Sequence, residues 1–293
     1  MTASMAQATA NLQHSELLRL RETAARLRID IIEMISRAGS GHPGGSLSAI
    51  DIITCLYFSR MRHDPRRPDW PERDRFILSK GHAVPAQYAA LAEAGYFPKL
   101  ELLTLRRLGS RLQGHPLLGS IPGIEACTGS LGHGLSVAQG MAMASKLDGS
   151  PFHVYCMIGD GESQEGQVWE AAMSAPKFKL DTLTCILDYN HGQIDGHVEE
   201  VMNIEPVIAK WRAFNWNVLE IDGHNLQQIL GALDEAKSAE GKPTFIVAHT
   251  VKGKGVSFME NQIAWHGAAP NRELTEKALA ELRAQYAQVQ ERR

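Results

Sequence analysis

Between Leu17 and Ala38 the apolar residues Leu17, Leu20, Ala24, Leu27, Ile31, Met34 and Ala38 recur at intervals of three and four. Wound at helical pitch they fall on one face, which predicts an amphipathic helix with Gly39 as its stop. Ser40-Gly41-His42-Pro43-Gly44-Gly45-Ser46 follows, a stretch too rich in Gly and Pro to be read as helix or strand. Helical spacing returns from Leu47 to Phe58, so His42 is expected in a turn between helices.

The pattern then changes to short apolar runs: Phe76-Ile77-Leu78, Val154 to Ile158, Leu183 to Leu187, Trp216 to Ile221 and Phe245 to Ala248. Runs of this length, separated by helix-length segments, predict buried strands of a parallel sheet. Such a sheet needs helices on both faces, so the expected fold is α/β, a doubly wound parallel sheet. Residues 16–293 are expected to form a single domain after a loose N-terminus at 1–15. After Ala248 the glycine-spaced loop Val251-Lys252-Gly253-Lys254-Gly255-Val256 is a candidate lid or binding segment. A last helix is expected near Glu273 to Val289.

At 293 residues and 44% hydrophobic content the chain can bury a full core. Its net charge of −3 gives no electrostatic reason to expect a nucleic acid or an anionic membrane as partner. No apolar stretch approaches the roughly 20 residues needed to span a bilayer, and residues 1–12 lack the form of a signal peptide. Cys55, Cys127, Cys156 and Cys185 are far apart with no CxxC pair, at least three of them in apolar surroundings. Free thiols in a cytoplasmic protein are expected.

The sharpest chemical feature lies where the strand His153 to Ile158 runs into Gly159-Asp160-Gly161. The next strand ends in Asp188-Tyr189-Asn190-His191-Gly192, placing Asn190 thirty positions after Asp160. One βαβ unit brings both strand ends to the crevice where parallel sheets bind ligands, beside a helix N-terminus suited to phosphate. A carboxylate, an amide oxygen and a backbone carbonyl also suit Mg²⁺, which prefers oxygen ligands and retains phosphate oxygens and water. Taken alone, Gly-Asp-Gly is weak evidence and is more often merely a tight turn after a strand.

Gly-Asp-Gly, a helix, a strand and Asn190 together resemble the thiamine diphosphate motif. Ser40-Gly41-His42-Pro43-Gly44-Gly45, Leu78-Ser79-Lys80-Gly81-His82-Ala83, Gly114-His115-Pro116, Thr128-Gly129-Ser130-Leu131-Gly132 and Trp265-His266-Gly267 resemble transketolase segments in the same order. The resemblance runs from about Leu17 to the end and is strongest from Gly159 to Gly196. It implies a thiamine diphosphate-binding fold in which Asp160, Asn190 and the main-chain carbonyl of Gly192 hold a divalent metal, Mg²⁺ or in its place Ca²⁺ or Mn²⁺. It implies cofactor contacts from His82, Gly129, Ser130, Leu131, Gly161, Glu162, Asn190 and His266, with Leu131 against the aminopyrimidine. His42, His82, His115 and His266 would line the substrate channel and shuttle protons near neutral pH. Glu165 would reach the subunit interface near the catalytic glutamate of the other half. Two positions depart from the family pattern: His133 stands where many relatives carry glutamine, and Gly192 replaces a bulky aliphatic residue.

The resemblance is closest to the N-terminal subunits of split transketolases. It implies transfer of a two-carbon ketol unit from a ketose to an aldose, sugars or sugar phosphates. It also implies a separate C-terminal subunit that carries the pyrimidine-binding domain, in an α2β2 assembly. Other readings stay open at this point: a subunit of another thiamine diphosphate enzyme, 2-oxo acid dehydrogenase alpha-like or deoxyxylulose phosphate synthase-like, or a non-catalytic cofactor-binding module.

Overall fold

The computed structural model describes residues 3–150 and 152–291. Five strands, β1 (Arg75–Leu78), β2 (Val154–Gly159), β3 (Leu183–Tyr189), β4 (Asn217–Asp222) and β5 (Thr244–His249), form one sheet in the order β1-β2-β3-β5-β4. All four pairings are parallel, and each strand falls on a predicted apolar run, β4 beginning one residue later, at Asn217. The interior strands β2 and β3 are buried along their whole length, which is why they read as continuous apolar runs.

Side chains alternate between two cores. Phe76, Leu78, Tyr155, Met157, Ile186 and Ile246 pack on one side with α1 (Ala3–Ala38), α2 (Pro43–Cys55), α3 (Val84–Ala94), α8 (Leu226–Ser238) and α9 (Arg272–Glu291). Ile77, Cys156, Ile158, Cys185, Leu187, Phe245 and Val247 pack on the other with α4 (His133–Leu147), α5 (Gly166–Lys177), the short α6 (Val198–Val201) and α7 (Val207–Ala213). On that second side Trp211 of α7 lies flat on Phe245, ring centroids 3.7 Å apart. The sheet is thus covered on both faces, as expected for a doubly wound α/β fold. Cys55, Cys156 and Cys185 are buried free thiols, and Cys127 is free and exposed.

Two local expectations are corrected. The first helix begins at Ala3 rather than Leu17, so the stretch 1–15 expected to be loose is helical from Ala3 onward. The segment before Leu17 carries Ala3, Ala6, Ala8, Ala10, Gln7 and Gln13, whose intrinsic helix preference needs no apolar stripe; Met1 and Thr2 lie outside the described residues. The second correction concerns Pro43-Gly44-Gly45-Ser46, which form the first turn of α2. Proline is tolerated there because its missing N–H would be unbonded in any case. Gly44 serves close packing: a Cβ there would stand 2.9 Å from the Trp265 carbonyl oxygen. His42 is the residue just before this helix, in the turn where it was expected. The helical spacing through Phe58 continues beyond Cys55 as a π-helical turn, Leu56–Arg60.

Candidate functional site

The register pairs Gly159 with Asp188, so the segments after β2 and β3 leave the sheet side by side. Asp160 is buried; its Oδ1 accepts the Gly161 N–H at 2.8 Å. Its Oδ2 has no partner among the described residues. Burial, reinforced by the neighbouring Asp188 carboxylate, raises its pKa to about 6. Asn190 donates from Nδ2 to Asp188 Oδ2 at 2.9 Å and to Ser48 Oγ at 3.3 Å, and its Oδ1 accepts the Gly192 N–H at 3.2 Å. These bonds fix which end of the amide is oxygen. The Gly192 carbonyl accepts from Lys252 Nζ at 3.0 Å. An orphaned carboxylate oxygen, an oriented amide oxygen and a carbonyl already facing a cation form a hard-oxygen donor set that fits Mg²⁺. Among the described residues no cluster of three His, Cys, Asp or Glu side chains could hold a metal; this set escapes that pattern because two of its members are an amide and a main-chain oxygen.

Asp188 is the pivot beneath the set. It is fully buried and accepts from Lys80 Nζ, Ser48 Oγ, Asn190 Nδ2 and Thr250 Oγ1. Burial alone would raise its pKa, but the Lys80 ammonium and the two hydroxyls bring it below the usual carboxylate range. Lys80, 2% exposed, also donates to the Gly45 carbonyl at 2.8 Å. Lys252 is equally enclosed, and burial with the nearby Lys80 charge lowers its pKa to about 8.

The segment carrying Lys252 is fixed along its length. The Thr250 N–H donates to the Tyr189 carbonyl, that of Val251 to His224 Nε2 at 2.8 Å, and that of Gly253 to the Gly44 carbonyl. His224 in turn bonds through Nδ1 to Asp51, which Arg28 holds with two hydrogen bonds. The loop read as a lid or binding segment is in this structure a held wall of the cleft.

Four imidazoles converge from separate loops. The His42 ring lies 5.1 Å from that of His82, 6.3 Å from His115 and 5.5 Å from His266, and His82 lies 5.0 Å from His266, centroid to centroid. Glycine makes the approach possible, since a Cβ on Gly81 would collide with the Thr128 carbonyl. Proton exchange near neutrality, expected for these histidines, is not what their surroundings favour. Burial first, and then the charges of Arg106 and Lys252, lower His42 to about 4; burial and the Lys252 charge lower His266 to about 3. His82 falls well below its ordinary value through burial and Lys80, and His115 falls through burial and Arg106. The four rings are neutral hydrogen-bonding groups at pH 7.

A cleft of about 310 Å³ at the carboxyl ends of β2 and β3 joins these groups, lined by the four histidines, Asp160, Asn190 and Gly192 as well as by Lys80 and Lys252. Gly129, Leu131, Gly161, Glu162 and Glu165 line it too. Glu162 is buried, with Oε1 accepting from Ser79 Oγ and the Gly132 N–H and Oε2 accepting from the Gly159 N–H. It ties three cleft loops together. Ser130 is exposed in the neighbouring loop, outside the lining, and Glu165 is exposed at the mouth just before α5. The absence of a side chain at Gly192 is matched by its neighbours: a Cβ there would lie 2.9 Å from both Ile263 Cδ1 and Lys252 Cδ. Lys80 and Lys252 had no role in the sequence reading. Their only signals were the Ser-Lys-Gly-His context and the glycine-spaced loop.

A doubly wound sheet whose strand ends carry paired oxygen donors, buried lysines and a cluster of neutral imidazoles defines a diphosphate-binding domain of the thiamine diphosphate class. The family profile described as the transketolase thiamine diphosphate binding domain matches residues 20–291, and the chain belongs to that family. It is 50% identical over 264 residues, 90% of this chain and 96% of the other, to a 6-deoxy-6-sulfo-D-fructose transketolase subunit of Clostridium sp.. It is 43% identical to an apulose-4-phosphate transketolase subunit of Phocaeicola vulgatus, over 91% of this chain and 94% of that one. Among solved structures, transketolase from Campylobacter jejuni superposes with a TM-score of 0.85 at 35% identity, covering 92% of this chain and 45% of that one. The chain spans less than half the length of that transketolase.

Proposed function

We propose that this chain, a single domain over residues 16–293, is the diphosphate-binding subunit of a split transketolase that transfers a two-carbon ketol unit from a ketose to an aldose. The observation that carries the reading is the convergence of Asp160, Asn190 and the Gly192 carbonyl with His42, His82, His115 and His266 in one cleft. The two relatives above, each matched over more than nine-tenths of its length, are named as subunits. We extend that to a separate partner carrying the pyrimidine-binding domain and, by two-fold symmetry, to an α2β2 assembly. Both relatives are named for sugars with an anionic group, a sulfonate in one and a phosphate in the other. A ketose with an anionic terminus is the substrate class we propose here.

Asp160, Asn190 and the Gly192 carbonyl would hold Mg²⁺; Gly161, His82, His266 and the loop Gly129-Ser130-Leu131 would receive thiamine diphosphate. When bound, the cofactor supplies the carbanion chemistry that breaks and forms the carbon–carbon bond. The chain's own part is to orient and to exclude water. Neutral imidazoles at His42 and His115 offer hydrogen bonds to sugar hydroxyls without adding charge to the cleft. Glu165, exposed at the mouth, is suited to meet the partner. Among the described residues no helix is long and apolar enough to cross a membrane, and we place the complex in the cytoplasm, where the free thiols would remain reduced.

Native mass spectrometry of the tagged chain purified from its own cells tests this directly. The expected result is a second subunit together with bound thiamine diphosphate. A lone chain without cofactor would refute the reading and favour a non-catalytic module.

A further inference from the structure

Arg106 lies between the 3₁₀ turn Lys99–Thr104 and the His115 loop, outside the five short motifs that carry the resemblance in the sequence. Its backbone has φ +58°, a left-handed conformation that is unfavourable for a residue other than glycine and persists only where the surroundings impose it. What the conformation accompanies is a bridge. Nη1 donates to Ser40 Oγ at 2.8 Å, and Nη2 donates both to His42 Nδ1 and to the Gly114 carbonyl, each at 3.3 Å. The loop ahead of His42 and the loop ahead of His115 are thereby joined through one side chain.

Gly114 supports the same conclusion independently. Its own backbone is outside the left-handed region, so no turn demands glycine there. A Cβ at that position would stand 2.9 Å from both Cζ and Nε of Arg106. The missing side chain is the room the guanidinium occupies.

A guanidinium has only donors, so His42 Nδ1 must accept. A neutral imidazole that accepts at Nδ1 carries its single proton on Nε2. Burial and the Arg106 charge keep His42 neutral, which leaves one N–H on the ring and makes its location decisive. The Nε2 edge faces Gly267, where a Cβ would crowd it at 3.3 Å, and His42 lines the cleft.

We infer that Arg106 is a positioning residue that fastens the His42 and His115 loops to each other and holds His42 with its proton on Nε2, so that this ring meets a sugar hydroxyl as a donor. The inference rests on the transketolase reading only for what the two histidines do to the substrate.

Long-range ¹H–¹⁵N spectra of the full chain labelled at histidine read the tautomer without any turnover, with His42→Ala identifying the signal. The wild-type ring is expected as the Nε2–H form. Arg106→Met, and separately Gly114→Ala, which crowds the guanidinium without removing it, should both shift His42 towards the other tautomer, and Arg106→Lys should retain part of the preference. In the complex reconstituted with its second subunit, kcat/KM should fall about 10- to 100-fold in the first two variants, the scale of a misplaced catalytic group. Cofactor affinity should be unchanged, and Arg106→Lys should recover part of the rate. An Nδ1–H ring in the wild type, or spectra unmoved in both Arg106→Met and Gly114→Ala, would overturn the inference. Absence of ketol transfer in the wild-type complex would instead count against the proposed function and leave the tautomer to judge Arg106.

Discussion

Replacing Lys80 with Met tests the electrostatic base of the cleft. The substitution keeps the length of the side chain and removes the one cation among the described residues that is bonded to Asp188, whose carboxylate is fully buried. Breaking a buried ion pair by deleting one partner costs about 3–5 kcal/mol. Asp188 keeps bonds from Ser48 and Asn190 at 2.6 and 2.9 Å and from Thr250, which places the loss near the lower end. At roughly 2–4 °C per kcal/mol for a chain somewhat shorter than this one, about 3 kcal/mol lowers Tm by about 6–12 °C.

The sign of the pH dependence sharpens the test. In the wild type the Asp188 pKa is lowered, so the pair contributes above the unfolded carboxylate pKa and its contribution is lost as pH falls through the folded value. Without Lys80 the largest influence opposing burial is gone and the remaining hydrogen bonds only partly offset it, so the carboxyl pKa rises and the folded variant takes up a proton before the unfolded chain does. The gap between variant and wild type should therefore be widest near neutrality and narrow towards about pH 5. Equilibrium urea unfolding followed by circular dichroism across that range measures it. A gap below about 1 kcal/mol, or one that widens on acidification, refutes the reasoning; Lys80→Met combined with Asp188→Asn should regain stability over the single variant.

Asp160→Ala should abolish metal-dependent binding of thiamine diphosphate, measured by calorimetry with and without Mg²⁺. Because the free Asp160 carboxyl has a pKa of about 6, metal affinity of the intact chain should be flat above that pH and fall towards tenfold per unit below it. In the reconstituted complex His115→Ala should impair kcat/KM for the sugar while leaving cofactor affinity intact; the reverse pattern in the same two assays contradicts its placement. Gly192→Val would drive side-chain atoms into Ile263 and Lys252 and should cost about 1–3 kcal/mol in thermal unfolding, with weaker cofactor loading.

The sheet was legible because strands buried on both faces, such as Tyr155 to Ile158 and Cys185 to Leu187, leave no polar position to blur the run. Asp160 and Asn190 were legible because a strand end followed by a turn places its residues predictably. Tertiary facts were not. The strand order, with β5 between β3 and β4, depends on which crossover packs best and leaves no local mark. Gly44 and Gly45 suggested a turn, yet both sit in helix, and the reason for glycine at Gly44 is the Trp265 carbonyl that comes close from a distant segment. Lys80 and Lys252 were passed over because lysine is ordinarily a surface residue, and nothing near them announces that Asp188 and the Gly192 carbonyl lie at their tips. The lowered pKa values of the histidines likewise depend on burial that only the assembled loops create.

The segment from Thr250 to Gly253, held to Tyr189, His224 and Gly44, has a thermodynamic consequence for ligand capture. A loop that is mobile before binding must surrender conformational entropy when it closes, at about 1–2 kcal/mol for each backbone residue ordered. Here that loss is incurred once, during folding. A ligand entering the cleft would meet this wall already in place, so its binding free energy would not be spent on ordering the chain around it.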